Sequence, residues 1–293
     1  MRDEQLFVGI DGGGTKCRAQ ISDLDGNILG EGQGGPANTR LGLDVAFGSI
    51  IAAVDIALAS AGLDLGRKKD IHAGLGLAGL SLKREQDIVA SYDHPFASMR
   101  VESDAHIACL GAHKGTDGAI LILGTGSCGC ALLGGKEHTV GGWGFEISDH
   151  GSGAHIGYEA VRASLLAYEN VIPQTELSRR VMEALGNTPE TAVPWAEEAT
   201  PGKYGSFAPL VSELAEKGDP LAEKIMRKSG ADTALLLKAM EAKSAGCVAL
   251  IGGVASIIER WLPEDVKHLL VQPEGDALDG ALLLARRKLE AGK

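Results

Sequence analysis

The sequence has no surplus of positive charge, and this absence excludes one broad class of binding protein. Lysine and arginine number 28 against 39 aspartates and glutamates, so the 293 residues carry a formal net charge of -11. A surface that neutralises nucleic-acid phosphates needs clustered positive charge. We therefore expect no nucleic-acid partner, and any anionic ligand must be bound by local groups rather than by the overall charge.

The sequence also has few cysteines and lacks a long hydrophobic run. Its cysteines are scattered and contain no CxxC pair, a pattern typical of reduced thiols in a cytosolic protein. The first residues are too acidic for a signal peptide. The apolar stretches are interrupted before they reach the roughly 20 residues of a membrane helix. We expect a cytoplasmic protein without a membrane partner. The five cysteines are Cys17, Cys109, Cys128, Cys130 and Cys247.

Several common site motifs are missing. There is no GxxxxGK[ST] loop and no HExxH helix, and the eight histidines show no metal-ligand spacing, so we expect no structural metal. Two stretches, at 30–35 and 74–79, match the GxGxxG dinucleotide pattern. Neither stands between a strand and a long helix, so we interpret both as structural.

Glycine, by contrast, is abundant. The chain has 41 glycines, about 14%, roughly twice the usual share. The informative ones fall in three clusters, at 12–14, 124–126 and 252–253, each directly after an apolar strand. Apolar strands interleaved with helical segments predict an α/β fold with mostly buried sheets.

The two halves of the chain share one plan, because each begins with an apolar strand that runs into a hairpin of glycine and threonine. We infer an internal duplication, with an N-terminal domain over 1–113 and a C-terminal domain over 114–275. The final helix, over 276–293, is expected to pack back on the N-terminal domain.

The first hairpin has the composition of a phosphate-binding turn. Gly12, Gly13 and Gly14 remove every Cβ atom from its tip, so a phosphate can approach and backbone N–H groups can point at it. Thr15 can add a hydroxyl and Lys16 a charge. Asp11, at the end of the strand, is placed to hold Mg²⁺ through water. The alternative is a tight turn whose glycines only adopt positive φ angles.

The other two clusters extend this pattern. Gly124, Thr125, Gly126 and Ser127 repeat the hairpin in the second half, and we expect the two hairpins to clamp the β- and γ-phosphates of a nucleotide. The third cluster, Gly252, Gly253 and Ser256, passes from strand to helix. Its glycines allow adenine and ribose to lie against backbone, with a helix N-terminus favouring nearby phosphate.

The sequences DGGGTK, LGTGS and LIGGVAS, in this order, resemble the two phosphate motifs and the adenosine motif of the actin, hexokinase and heat-shock ATPase superfamily. Nearly end to end, the chain resembles the BadF/BadG/BcrA/BcrD-type family, most closely its bacterial glucosamine and N-acetylglucosamine kinases. The resemblance implies two ribonuclease H-like domains, each a mixed five-stranded sheet flanked by helices, with an interdomain cleft. It also implies ATP as co-substrate with Mg²⁺.

The resemblance carries roles onto particular residues. Asp104 matches the catalytic base that accepts the proton of the sugar 6-hydroxyl; the alternative is a simple helix N-cap. Asn38 matches a sugar-binding asparagine, and Thr125, Gly142 and Asp149 match sugar or phosphate contacts. For Asp149 the alternative is a turn residue before Gly151.

These observations predict an ATP-dependent kinase that phosphorylates the 6-hydroxyl of glucosamine or N-acetylglucosamine, and the sequence leaves the choice of sugar open. Its partners would be these small molecules, with a homodimer as the commonest default. Two alternatives remain. One is an ATPase that activates a partner dehydratase, whose relatives hold an iron-sulfur cluster by cysteines. The other is a non-catalytic sensor of amino sugars.

Overall fold

Two compact units make up the chain, as seen in a computed structural model that describes residues 5–80, 83–243 and 246–290, with the side chains of 288–290 left out. Unit 1 contains residues up to Asp117 together with the segment from Pro273 onward. Unit 2 is continuous, from Gly118 to Gln272. The end of the predicted final helix, 291–293, lies outside the described residues.

Unit 1 is built on a mixed five-stranded sheet in the order β3-β2-β1-β4-β5. The first three strands are antiparallel neighbours, and β1, β4 and β5 run parallel. The core strand, with sequence LFVGIDG, is buried at six of its seven positions, as expected for a strand covered on both faces. The strands are β1 (Leu6–Gly12), β2 (Cys17–Ser22), β3 (Ile28–Gly34), β4 (Ile71–Leu77) and β5 (Ser98–Ser103).

Among its described residues, unit 1 has four α-helices: α1 (Leu43–Ser60), α2 (Lys83–Ala90), α3 (Asp104–Ala112) and α12 (Ala277–Glu290). Helix α1 packs on β2 and β3, whereas α12 packs on α3, β1 and β4. By length and composition alone, α1 is apolar enough to cross a membrane. The side chains of Phe47, Ile50 and Val54 are instead buried against the sheet, as is typical of a core helix, whereas Val45 and Ile56 are exposed.

Unit 2 repeats the sheet with the order β10-β9-β6-β7-β8, in which β6, β7 and β8 are antiparallel and β6, β9 and β10 parallel. The expected pair of mixed five-stranded sheets is therefore confirmed. The strands are β6 (Gly118–Leu123), β7 (Ser127–Leu133), β8 (Lys136–Gly141), β9 (Val248–Ile251) and β10 (Leu270–Val271). The dipeptide Gly134-Gly135 predicts a tight turn, and both residues have positive φ between β7 and β8.

The helices of unit 2 include three that the sequence pattern missed. Of these, α6 carries Pro194 inside it and α7 and α11 are very short, so none shows a clear helical period. The bounds are α4 (Gly153–Tyr168), α5 (Glu176–Ala184), α6 (Pro189–Glu197), α7 (Pro201–Gly205), α8 (Ala208–Glu216), α9 (Pro220–Glu241), α10 (Ala255–Glu259) and α11 (Glu264–Lys267).

The dipeptide Asp25-Gly26 predicts a two-residue hairpin turn, but this prediction is wrong, because five residues separate β2 from β3. The Asp23 carboxylate accepts hydrogen bonds from both the backbone and the side-chain nitrogen of Asn27, at 2.9 and 2.8 Å. This wider loop is stabilised by a side chain rather than by a tight primed turn.

The parallel pairing aligns three strand ends of unit 1. Gly12 at the end of β1 lies opposite Leu77 at the end of β4, which lies opposite Ser103 at the end of β5. Carboxyl ends of parallel strands share one edge of a sheet, where α/β proteins usually bind ligands. Asp11, Asp104 and the loop after β4 therefore lie along the same edge.

Close contact between helix and sheet explains many of the remaining glycines. A Cβ atom on Gly74 would lie 2.1 Å from the backbone oxygen of Ala281 in α12. On Gly32 it would lie 2.0 Å from the backbone oxygen of Ala53 in α1. Both GxGxxG matches thus contain packing glycines within strands, as expected for false dinucleotide motifs.

We predict that Gly74→Ala lowers the free energy of unfolding by about 1–3 kcal/mol, because α12 must move away from the sheet. The matched control is Gly48→Ala, in the middle of α1, where the added methyl meets nothing within 4 Å. This change should raise stability by about 0.5–1 kcal/mol through helix propensity. Urea denaturation of both variants measures the difference, and equal stabilities would contradict the close packing of α12.

Candidate functional site

The first hairpin joins β1 to β2 in unit 1. The N–H of Gly13 donates to the backbone oxygen of Lys16 at 3.0 Å and closes the turn. Gly14, Thr15 and Lys16 are all exposed at the tip, so their backbone and side chains face solvent. The hairpin therefore presents the groups that the sequence predicted for a phosphate site.

The conformation of this hairpin does not require its glycines. None of Gly12, Gly13 and Gly14 has a positive φ angle. Gly12 is needed for packing, because a Cβ there would lie 2.5 Å from Leu77 Cδ2, but at Gly14 the nearest atom would be 4.0 Å away. The alternative of a turn with obligatory positive φ is thus wrong. Gly14 leaves bare backbone that neither strain nor packing explains.

The loop that carries Asn38 is bonded to this hairpin. Ala37 N–H donates to the oxygen of Gly13 at 3.0 Å, and Thr39 N–H donates to the oxygen of Ala78, just after β4, at 3.2 Å. Asn38 Oδ1 accepts from the N–H of Arg40 at 2.9 Å and caps the short 3-10 helix Thr39–Leu41. Its Nδ2 lies 4.0 Å from the Cβ position of Gly14. The structure thus brings Asn38 beside the first hairpin.

Asp104 is the first residue of α3, directly after β5. The N-cap is Ser103, whose hydroxyl accepts from the N–H of His106 at 3.0 Å. The alternative of Asp104 as a simple cap is therefore wrong, because the neighbouring serine fills that position. Asp104 Oδ1 accepts from the N–H of Ala105 at 2.8 Å, and the side chain remains open to solvent.

The surroundings of Asp104 raise the pKa of its carboxyl group. Surrounding protein atoms remove part of its hydration and raise the pKa of this carboxyl above its ordinary value, and the nearby Asp11 carboxylate adds to the shift. The hydrogen bond from Ala105 acts in the opposite direction but does not cancel the increase. A carboxylate with a raised pKa is a better proton acceptor, as a general base requires.

Asp11 has a partner that sequence reasoning missed. Arg18 donates to Asp11 Oδ2 from Nη2 at 2.9 Å and from Nε at 3.2 Å. The same guanidinium donates from Nη1 to Asp276 Oδ2 at 3.3 Å. The hairpin register could have indicated the first contact, since Asp11 and Arg18 lie directly opposite each other in β1 and β2.

The donor set at Asp11 fits a hydrated magnesium ion. Within the described residues, Oδ1 of Asp11 accepts no hydrogen bond, while Oδ2 takes both N–H groups of Arg18. Magnesium binds few carboxylates and keeps several of its waters. One free carboxylate oxygen at the end of β1 suits contact through water.

The second hairpin, between β6 and β7, belongs to unit 2. Its tip is closed by the N–H of Gly124, which donates to the oxygen of Gly126 at 2.9 Å. The first turn of α4 bonds to it, because Gly153 and Ala154 donate to the oxygens of Gly124 and Thr125 at 2.8 and 3.2 Å. A Cβ on Gly124 would meet nothing within 4 Å, and its φ angle is not positive. As at Gly14, bare backbone remains there.

Asp149 lies against this hairpin in unit 2. A Cβ on Gly126 would be 2.7 Å from Asp149 Oδ2, so the carboxylate occupies the space that the glycine leaves. The residue is nearly buried and has a φ of 60°, which is unusual outside glycine. Ser127 Oγ donates to the oxygen of His150 at 2.8 Å and therefore already has an acceptor in the protein.

The third cluster follows β9 and also contacts the second hairpin. Gly252 has a φ of 101°, and a Cβ there would lie 2.4 Å from the oxygen of Leu123. Val254 N–H donates to that same oxygen at 2.9 Å. Gly253, in contrast, has open space at its Cβ position, and Ser256 is exposed on α10. Gly253 is thus a third glycine without a structural requirement.

An aromatic cluster holds the loop between β8 and α4, which carries Gly142 and Asp149. The ring of Phe145 lies 5.1–5.7 Å from those of His155, Tyr158 and Tyr204, and its backbone oxygen is 2.9 Å from His155 Nε2. The neighbouring Trp143 is 71% exposed. Phe145 therefore fixes the loop while Trp143 stays available at the surface.

The five cysteines, all within the described residues, form no disulfide, and most are packing residues. Cys17, Cys109 and Cys130 are buried, while Cys128 and Cys247 are half-buried. Burial raises the pKa of the Cys17 thiol to about 12, and the Asp11 carboxylate adds to this shift. Such a thiol stays protonated and unreactive at neutral pH.

Known proteins resemble this chain over nearly its full length. A glucosamine kinase of Vibrio cholerae is 42% identical over 95% of both chains. The crystal structure of a Chromobacterium violaceum protein, provisionally named an N-acetylglucosamine kinase, superposes with a TM-score of 0.85 at 32% identity and covers 97% of this chain and 99% of that one.

A more distant structure supports the fold alone. It is a ROK family glucokinase from Streptomyces griseus, solved with glucose and AMPPNP, which is 22% identical with a TM-score of 0.56 over 96% of this chain and 99% of that one. The expected hexokinase-like fold is thereby confirmed. The sequence model described as BadF/BadG/BcrA/BcrD ATPase family matches residues 8–285. This chain, with its two glycine-rich hairpins and its third glycine cluster, belongs to the BadF/BadG/BcrA/BcrD ATPase family.

Proposed function

We propose that this protein is an amino-sugar kinase that transfers the γ-phosphoryl group of ATP to the 6-hydroxyl of glucosamine or N-acetylglucosamine. The observation that carries this proposal is the placement of Asp104. Its carboxylate stands open to solvent at the sheet edge where the first hairpin and the Asn38 loop also lie. Full-length similarity to a glucosamine kinase supports the choice of sugar class.

In this mechanism Asp104 accepts the proton of the 6-hydroxyl. The freed oxygen forms a bond to the γ-phosphorus while the bond from that phosphorus to the β-phosphate oxygen breaks, and ADP leaves. Phosphoryl transfer needs mainly positioning and charge stabilisation, because its transition state is loose. Asn38, Gly142 and Asp149 are proposed to bind the sugar.

The nucleotide is proposed to contact both glycine hairpins and the third cluster. Backbone N–H groups at Gly12–Lys16, and those of Gly124–Ser127, would bind phosphate oxygens, with the Thr15 and Thr125 hydroxyls and the Lys16 ammonium beside them. Gly252, Gly253 and Ser256 would lie against adenosine. Magnesium, when bound with ATP near Asp11, neutralises phosphate charge. Backbone donors suit a protein whose net charge is -11.

Asp104 is the proposed base of the reaction. Asp104→Asn should lower kcat by roughly 10²- to 10⁴-fold on both glucosamine and N-acetylglucosamine, because the amide cannot accept the proton. Affinity for ATP should stay within about twofold. A coupled assay of ADP release measures kcat, and calorimetry measures ATP binding. Because the carboxylate has a raised pKa, its charged form costs stability at neutral pH, so the variant should melt no lower than the parent. Unchanged kcat would remove Asp104 from the mechanism.

A carboxylate base also makes the reaction depend on pH. With N-acetylglucosamine, which carries no ionisable amine, kcat/KM should fall as the pH is lowered through the pKa of Asp104, since only the carboxylate accepts a proton. Because that pKa is raised, the midpoint of the fall should lie above the roughly 3.9 of a free aspartate. A profile measured with excess coupling enzyme tests this. A midpoint at or below the ordinary value would contradict the role.

Substitutions at Gly14 and Gly124 distinguish a phosphate-binding backbone from a structural turn. Gly14→Ala and Gly124→Ala have room for the added methyl group, and neither position has a positive φ angle. The free energy of unfolding should therefore change by less than about 0.5 kcal/mol. Each should raise the Kd for ATP about tenfold or more, because a methyl blocks approach to the backbone donors. Gly48→Ala, in α1, is the control with unchanged ATP binding. Tight ATP binding by both hairpin variants would overturn the proposed phosphate contacts.

A further inference from the structure

We propose that Arg18 is a positioning residue that holds the Asp11 carboxylate in the orientation needed to contact the hydrated metal of MgATP. The inference rests on the proposed kinase function and adds a residue to it. It begins from the register, which places Asp11 and Arg18 directly opposite each other on neighbouring antiparallel strands. Side chains at such positions project from the same face of a sheet and interact.

The hydrogen bonds define which carboxylate oxygen is engaged. Both Nη2 and Nε of Arg18 donate to Oδ2 of Asp11, at 2.9 and 3.2 Å. Two donors on one oxygen fix the rotation of the carboxylate, and the other oxygen, Oδ1, accepts no hydrogen bond from the described residues. Arg18 therefore leaves one oxygen of Asp11 available and decides where it points.

Arg18 is itself held from the far side by Asp276. Its Nη1 donates to Asp276 Oδ2 at 3.3 Å. Asp276 Oδ1 meanwhile accepts the N–H groups of Leu278 and Asp279, at 2.8 and 3.2 Å, and so caps the start of α12. A guanidinium bonded on both sides cannot easily rotate away, so the orientation of Asp11 is fixed before any ligand arrives.

The environment makes this ion pair more than a surface contact. The side chains of Arg18 and Asp11 are 37% and 24% exposed, so both have lost much of their hydration. Arginine donates through a planar fork whose geometry lysine cannot reproduce. Because Nε, Nη1 and Nη2 are all directed at carboxylates, Arg18 acts through Asp11 and not on phosphate directly.

Electron paramagnetic resonance measures the binding of Mn²⁺ to the full-length protein saturated with AMPPNP. This measurement tests the proposal in the absence of sugar. Arg18→Gln should raise the Kd of Mn²⁺ about tenfold, as expected when a charge-assisted pair that orients a ligand is lost. Arg18→Lys, which keeps the charge but not the fork, should recover part of this loss. The KM for the sugar should stay within about twofold.

A double-mutant cycle distinguishes action through Asp11 from direct action on the nucleotide. Asp11→Asn alone should weaken Mn²⁺ binding at least as much as Arg18→Gln, and the double variant should be no weaker than Asp11→Asn. Additive losses would show that Arg18 contacts the nucleotide itself and would overturn the proposal. Unchanged Mn²⁺ binding in Arg18→Gln would also overturn it.

Arg67→Gln is the matched control. Arg67 also forms an ion pair in unit 1, with Asp70, but it precedes β4 and so lies at the opposite edge of the sheet, about 20 Å from the first hairpin. The Arg67→Gln variant should bind Mn²⁺ with unchanged affinity. If Arg18→Gln does not fold, the same cycle with Arg18→Lys decides whether Arg18 acts through Asp11. In another outcome, the double variant binds Mn²⁺ no more weakly than Asp11→Asn while the parent protein transfers no phosphoryl group to any amino sugar. That combination would contradict the kinase function and leave the role of Arg18 intact.

Discussion

The parallel alignment of β1, β4 and β5 is the constraint on which the proposed chemistry of unit 1 depends. Hydrogen bonds along these strands set Gly12, Leu77 and Ser103 side by side. Whatever follows each strand must then emerge at one edge of the sheet. The first hairpin, the residue after β4 that binds the Asn38 loop, and Asp104 are positioned by this register, and backbone hydrogen bonds join the first two of them to the Asn38 loop.

The abundance of glycine has at least three separate physical origins. Gly32 and Gly74 allow helix backbones to approach the sheet. Gly135 and Gly252 adopt positive φ angles that other residues avoid. Gly14 belongs to neither group, and it lies in a predicted phosphate-binding cluster.

Much of this architecture could be predicted from the sequence, because strand-hairpin-strand patterns are local. The duplicated plan, the long helices and the turn at Gly134-Gly135 follow from hydrophobic period and turn chemistry. Helix α6 could not be predicted in the same way, since Pro194 interrupts its pattern. The contact of Arg18 with Asp276 spans 258 positions and depends on tertiary packing alone. For Asp104, the sequence indicates its position, but its raised pKa depends on burial by surrounding atoms and on the Asp11 carboxylate, which the tertiary structure brings near it.

The discontinuity of unit 1 has a consequence for the synthesis of the protein. Helix α12 covers β1, β4 and α3, yet it follows all of unit 2 in the chain. Domains fold as units while the ribosome elongates the chain. Unit 2 is continuous and can fold as soon as it emerges, whereas the earlier sheet of unit 1 must wait with one face uncovered. The last helix to be synthesised is thus needed to complete the core of the first sheet to be synthesised.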